Sequence, residues 1–148
     1  MDLAVGYDAE RFTVGAVRLG VLLQGADFGT PLMNLSTPGI VRMTVSTGGS
    51  TALLPLDTTG SLVLLELTVQ PGAGVGPSAV NLRADFRDAW TQTVTSLADR
   101  AAQDLVLVPA PTNAATDAVD GLLTVVERSE LEDLLSDFAT DVARQWRR

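Results

Sequence analysis

The chain contains no cysteine, no histidine and no lysine. Without cysteine there is neither a disulfide nor a thiolate, and the redox compartment cannot be read from the sequence. Without histidine the chain lacks the usual general base, the usual triad partner and the commonest zinc ligand. Without lysine it lacks an amine nucleophile. All ten basic residues are arginine. No enzymatic activity is therefore expected, and no cofactor or metal. A small acidic hydrolase is the one enzyme class left. Glycoside hydrolysis needs two converging carboxylates, but with eighteen acids chance pairs are unavoidable. Aromatic rings are also scarce, seven in all. Tyr7 and Phe12 read as internal, and Phe138 and Trp146 fall on a helical stripe. Trp90 is left as the candidate carbohydrate platform. No apolar run reaches the ~18 residues of a membrane helix, so no membrane insertion is expected. No secretory signal stands at the N-terminus, where Met1 is followed by Asp2.

What is present is a chain of 148 residues, 46% hydrophobic and 19% charged, enough for one folded core. Its net charge of −8 argues against a phosphate backbone, so no nucleic-acid partner is expected. Short apolar segments alternate with polar residues. Leu3, Val5 and Tyr7 fall on one side of the first, and Phe12 and Val14 point inward in a strand over 11–17. Val41, Met43 and Val45 alternate with Arg42, Thr44 and Ser46. Val63, Leu65, Leu67 and Val69 share one face of the strongest strand, 62–69. Period two marks sheets with one buried face, and several such strands separated by turns mark an antiparallel sandwich.

Shorter strands are expected at 32–35, 79–82, 105–108 and 121–125. Turns are expected at 36–39 and 57–60, where proline or aspartate precedes a glycine, and a loop at 71–77. The stretch 85–104 is ambiguous. Its alternation over Trp90–Thr95 reads as strand or irregular loop, with a helical turn near 97–103. The run from Asp117 to Glu127 mimics the end of a calcium loop. Its first and third ligand positions would fall on Thr116 and Ala118, and Ala118 cannot ligate, so it reads as a turn into the last strand.

After residue 126 the period changes. Leu131, Leu134, Leu135, Phe138, Val142 and Trp146 form one stripe of an amphipathic helix. Ser129 and Glu132 make a capping-box pattern. Acids open the helix and Arg144, Arg147 and Arg148 close it, which suits its dipole. The expected organisation is a sandwich over 1–126 and a helix over 127–148. The stripe serves to dock the helix, either on the sandwich or on another module.

The order of these pieces resembles the cohesin family over about residues 2–125. The resemblance rests on the strand ending Tyr7-Asp8, then 12–17, then 39–45, then Gly60 to Val69. The small-residue loop into 78–82 and the closing Asp120-Gly121-Leu122-Leu123-Thr124-Val125 complete it. It implies a jelly-roll β-sandwich of cohesin or carbohydrate-binding-module architecture. It also implies a non-catalytic module, extracellular or on the cell surface, that binds a dockerin-type protein through one sheet face. The family's first strand, before Leu3, has no counterpart, and 85–120 is longer than the family's usual link. An edge left open in this way invites pairing in a dimer. In such modules the strands at 40–46 and 62–69 would contribute to the partner face. The expected partner-binding residues are therefore Arg42, Thr44, Ser46, Leu64, Glu66 and Thr68, with Leu64 as an apolar anchor. The alternative function is binding of a polysaccharide through Trp90.

Overall fold

The computed structural model describes residues 1–24, 28–47, 59–98, 103–114, 117 and 119–127. Nine strands run through them: β1 (Asp2–Gly6), β2 (Phe12–Leu19), β3 (Leu32–Asn34), β4 (Ile40–Thr44), β5 (Val63–Val69), β6 (Gly76–Arg83), β7 (Asp85–Arg87), β8 (Gln92–Val94) and β9 (Gly121–Val125). The protein is mainly β, and every strand pair is antiparallel. One sheet has five strands in the order β3-β4-β1-β6-β9. The other has β2 and β5, and β7 and β8 form a hairpin of their own.

The two main sheets face each other through the alternating residues. Leu3 and Val5 of β1 and Val41 and Met43 of β4 form the buried cluster, and Val14, Val17, Val63 and Leu65 of the smaller sheet pack against it. Side chains alternate across a strand, so Ala4, Arg42 and Thr44 point to the opposite, outer side. The turn after β1 is built by Asp8. Its carboxylate accepts the Glu10 N–H at 2.9 Å and pairs with Arg11 at 3.3 Å. Gly39, at φ 78°, closes the turn into β4 in a conformation that a side chain would strain. Gly20 ends β2 against β5, and a Cβ there would lie 2.2 Å from the Ser61 carbonyl oxygen.

Several expectations need correcting. β6 begins at Gly76, inside the expected loop, because Gly76 to Val80 pair with β9. Val69 is exposed rather than inward, being the last residue of β5. Residues 105–108 form no strand. The bridge between Ala98 and Asp104 and the Leu105 N–H on the Leu97 carbonyl hold this run, which leaves Val106 and Val108 in solvent. Its apolar residues have a strand's composition without a ladder to join. Residues 57–58 of the expected 57–60 turn, residues 99–102 of the expected helical turn and the C-terminal helix with its stripe lie outside the described residues.

Candidate functional site

The structure divides the six expected partner-binding residues between two surfaces. β4 pairs with β1 and β3, whereas β5 pairs with β2. Arg42, Thr44 and Ser46 therefore belong to the side of the five-stranded sheet. Leu64, Glu66 and Thr68 belong to the two-stranded sheet, whose outer face points the other way. Alternation puts Arg42 and Thr44 on the outer side of β4 and Leu64, Glu66 and Thr68 on the outer side of β5, but the strands belong to different layers. Leu64 is 48% exposed. Beside it Glu66 pairs with Arg18 at 3.1 Å, both side chains largely in solvent, an arrangement worth little in stability.

Arg42 also departs from expectation. It points outward from β4 yet is only 8% exposed, because the β7–β8 hairpin lies over it. Its guanidinium pairs with the Asp88 carboxylate at 2.9 Å, donates to the Ser36 and Thr91 hydroxyls, and stands 5.7 Å from the centroid of Phe86. Asp88 in turn accepts the Trp90 N–H at 2.8 Å and the Thr91 N–H at 2.7 Å. Those two backbone donors, together with Arg42, hold its carboxyl below the usual aspartate range. The hairpin is tied down a second time where Ser96 bridges to Asp2 and the Thr95 hydroxyl accepts the Ala4 N–H at 3.1 Å.

This anchored turn carries Trp90 at its tip, 92% exposed. Leu32 of β3 stands opposite Thr44 in the ladder, so it shares the outer side, and it is 71% exposed. Thr44 donates its hydroxyl to the Asp2 carboxylate across the strands at 2.6 Å. The outer side of the five-stranded sheet thus presents Leu32, Thr44 and Trp90 around the Arg42–Asp88 pair, and Ser46 is exposed just beyond β4. The sequence signal for the turn was available in Asp88-Ala89-Trp90-Thr91, an aspartate two residues ahead of the N–H it caps. Leu32 carried no signal until its partner strand was known.

The other polar cluster is the loop from Thr112 to Asp120. Asp117 accepts from the Val119 N–H at 2.9 Å and from the Thr112 N–H and hydroxyl at 2.8 Å each, and its carboxyl is held below the usual range, the Val119 N–H contributing most. Asp120 accepts from the Leu82 and Asp117 N–H groups, at 3.0 Å each. Asn81, buried beneath, donates to the Ala114 carbonyl. These carboxylates serve to fold the loop onto β6. Among the described residues no group of three acidic side chains is gathered that could hold a metal ion. No helix among them is long and apolar enough to cross a membrane.

No protein-family model and no curated protein matches the sequence. Solved structures do match the fold. A complex of CaDoc0917 with CaCohA2 aligns at 24% identity and a TM-score of 0.52, covering 84% of this chain and 77% of that one. The Coh-OlpA–Doc918 complex, a type I cohesin–dockerin complex from Clostridium thermocellum, aligns at 14% identity and a TM-score of 0.59, covering 84% and 75%. CaCohA2 from Clostridium acetobutylicum, solved in solution, aligns at 26% identity and a TM-score of 0.52, covering 84% and 70%. The chain has the cohesin-like fold.

Proposed function

We propose that this protein is a non-catalytic binding module that recognises a dockerin-type protein domain. The observation that carries the reading is the fold, shared with domains solved in complex with dockerins. The absence of histidine, cysteine and lysine supports a role in binding rather than turnover. The reading implies a module displayed outside the cell.

The partner surface in this reading is the outer side of the five-stranded sheet. Binding energy concentrates in a few exposed aromatic and apolar anchors set among polar residues. Leu32 and Trp90 supply such anchors, with Thr44 and Ser46 between and beside them. Asp88 fixes the backbone that carries the tryptophan before binding, which lowers the ordering cost of association. The opposite face offers Leu64 as its exposed anchor.

Calorimetric titration against a panel of purified dockerin modules tests this. The wild-type chain should bind at least one of them. Trp90→Ala and Leu32→Asp should each weaken that complex by about tenfold or more, while Leu64→Asp leaves it unchanged. A chain that binds no dockerin, but whose Trp90 fluorescence is quenched by a polysaccharide, would replace this reading with carbohydrate binding. The hairpin lends that alternative one exposed ring, Trp90, since Phe86 packs against the Arg42 guanidinium.

A further inference from the structure

We propose that Asn34, the last residue of β3, is an acceptor site for an N-linked glycan. Asn34-Leu35-Ser36 has the spacing that such transfer reads: an asparagine, any residue but proline, then a hydroxyl side chain. The chain has two other asparagines. Asn81 is followed by Leu82-Arg83 and Asn113 by Ala114-Ala115, so neither fits. Transfer of this kind acts on surface segments of exported chains, in keeping with a module displayed outside the cell.

The first argument is access. Asn34, Leu35 and Ser36 are all exposed, and β3 is the edge strand of its sheet. The second is the state of the acceptor atom. Asn34 Oδ1 accepts the Ser36 N–H at 2.9 Å. That bond fixes the side-chain amide with its oxygen toward the backbone and its nitrogen away from it. Among the described residues the Asn34 Nδ2 has no partner. The other two asparagines are committed, Asn81 to the Ala114 carbonyl and Asn113 to the Asp85 carboxylate at 2.7 Å. The Ser36 hydroxyl accepts from the Arg42 guanidinium at 3.2 Å. A hydroxyl also carries one proton to donate, so Ser36 can still offer it to the transferring enzyme. The third argument is charge. The sugar arrives on a lipid pyrophosphate, an anion, and the chain carries a net charge of −8. Residues 28–41 contain no charged side chain, so the acceptor lies in a stretch without carboxylates to repel it.

In the transfer the Asn34 Nδ2 bonds to C1 of the first sugar as the bond from C1 to the pyrophosphate oxygen breaks. The pyrophosphate leaves with the bonding pair, and Nδ2 gives up one of its two protons. The position has a consequence for binding. Asn34 stands opposite Arg42 and Leu32 opposite Thr44 in the ladder, so Asn34 and Leu32 share the outer side of the sheet. A glycan on Asn34 would stand over the side assigned to the partner. This consequence rests on the dockerin reading; the acceptor assignment does not.

The test incubates the full, folded chain with an oligosaccharyltransferase that reads Asn-x-Ser/Thr and a lipid-linked oligosaccharide, beside a short acceptor peptide as control. Intact mass should rise by one glycan, and peptide mapping should place it on Asn34. Asn34→Gln and Ser36→Ala should each abolish the mass gain, and Ser36→Thr should keep it. A chain left unmodified beside a modified control peptide would overturn the assignment. So would a glycan on Asn81 or Asn113, or one that survives Ser36→Ala. A separate measurement takes the modified chain to a dockerin module that the unmodified chain binds. Loss of binding is expected there. Unchanged binding would overturn the placing of the partner beside Asn34 and leave the acceptor assignment standing on the mass data.

Discussion

Asp88 serves several donors with one carboxylate: the N–H groups of Trp90 and Thr91, the Thr91 hydroxyl and the Arg42 guanidinium. Its pKa is depressed in the folded protein. The sign of the linkage follows. The unfolded carboxyl titrates near pH 3.9, so the stabilisation is fully present above that value. It is lost as the pH falls below it toward the lower folded pKa. Asp88→Asn should therefore lower the thermal midpoint at pH 7, and the deficit relative to wild type should shrink as the pH drops below about 4. Asp117→Asn should behave alike, because its carboxyl is depressed too. Thermal unfolding at a series of pH values checks both. A deficit that stays constant or grows on acidification would contradict them. Arg42→Met keeps the volume and removes the charge, leaving Asp88 without its cation. Amide exchange at Trp90 and Thr91 should accelerate, and unaltered exchange would show that the turn holds itself.

The β2–β5 pair is the element on which the core depends most, because two strands alone are marginal. Gly20→Ala would drive a Cβ into the Ser61 backbone and should cost more than about 1 kcal/mol. Met43→Ala, within the buried cluster, should cost about 2–5 kcal/mol. Leu64→Asp on the outer face should stay within about 0.5 kcal/mol. Urea denaturation ranks the three, and a large loss at Leu64 would mean that the inward assignment of β5 is wrong. At this scale the period-two pattern was informative where both faces differ. Leu3, Val5, Val41, Met43, Val63 and Leu65 all face inward as alternation predicts. The pattern says which side of a strand is buried and nothing about which sheet the strand joins. For that reason Thr44 and Leu64 looked like neighbours and lie on opposite faces. Burial of Arg42 was equally hidden, because the hairpin that covers it begins more than forty residues away. The run 105–108 misled for the converse reason, having apolar composition without pairing.

Among the described residues one layer has five strands and the other two. The five-stranded layer exposes its outer side around the Arg42–Asp88 pair and the turn that carries Trp90, with Leu32 at its margin. This side is expected to meet the partner while the outer face of β2–β5 stays in solvent. Hydrogen–deuterium exchange of the full chain, free and saturated with a dockerin module it binds, distinguishes the two faces. Protection should appear in β3, β4 and residues 88–91, and exchange across Arg18, Leu64 and Glu66 should not change. Protection confined to β2 and β5, with β3 and the Trp90 turn unaffected, would contradict it.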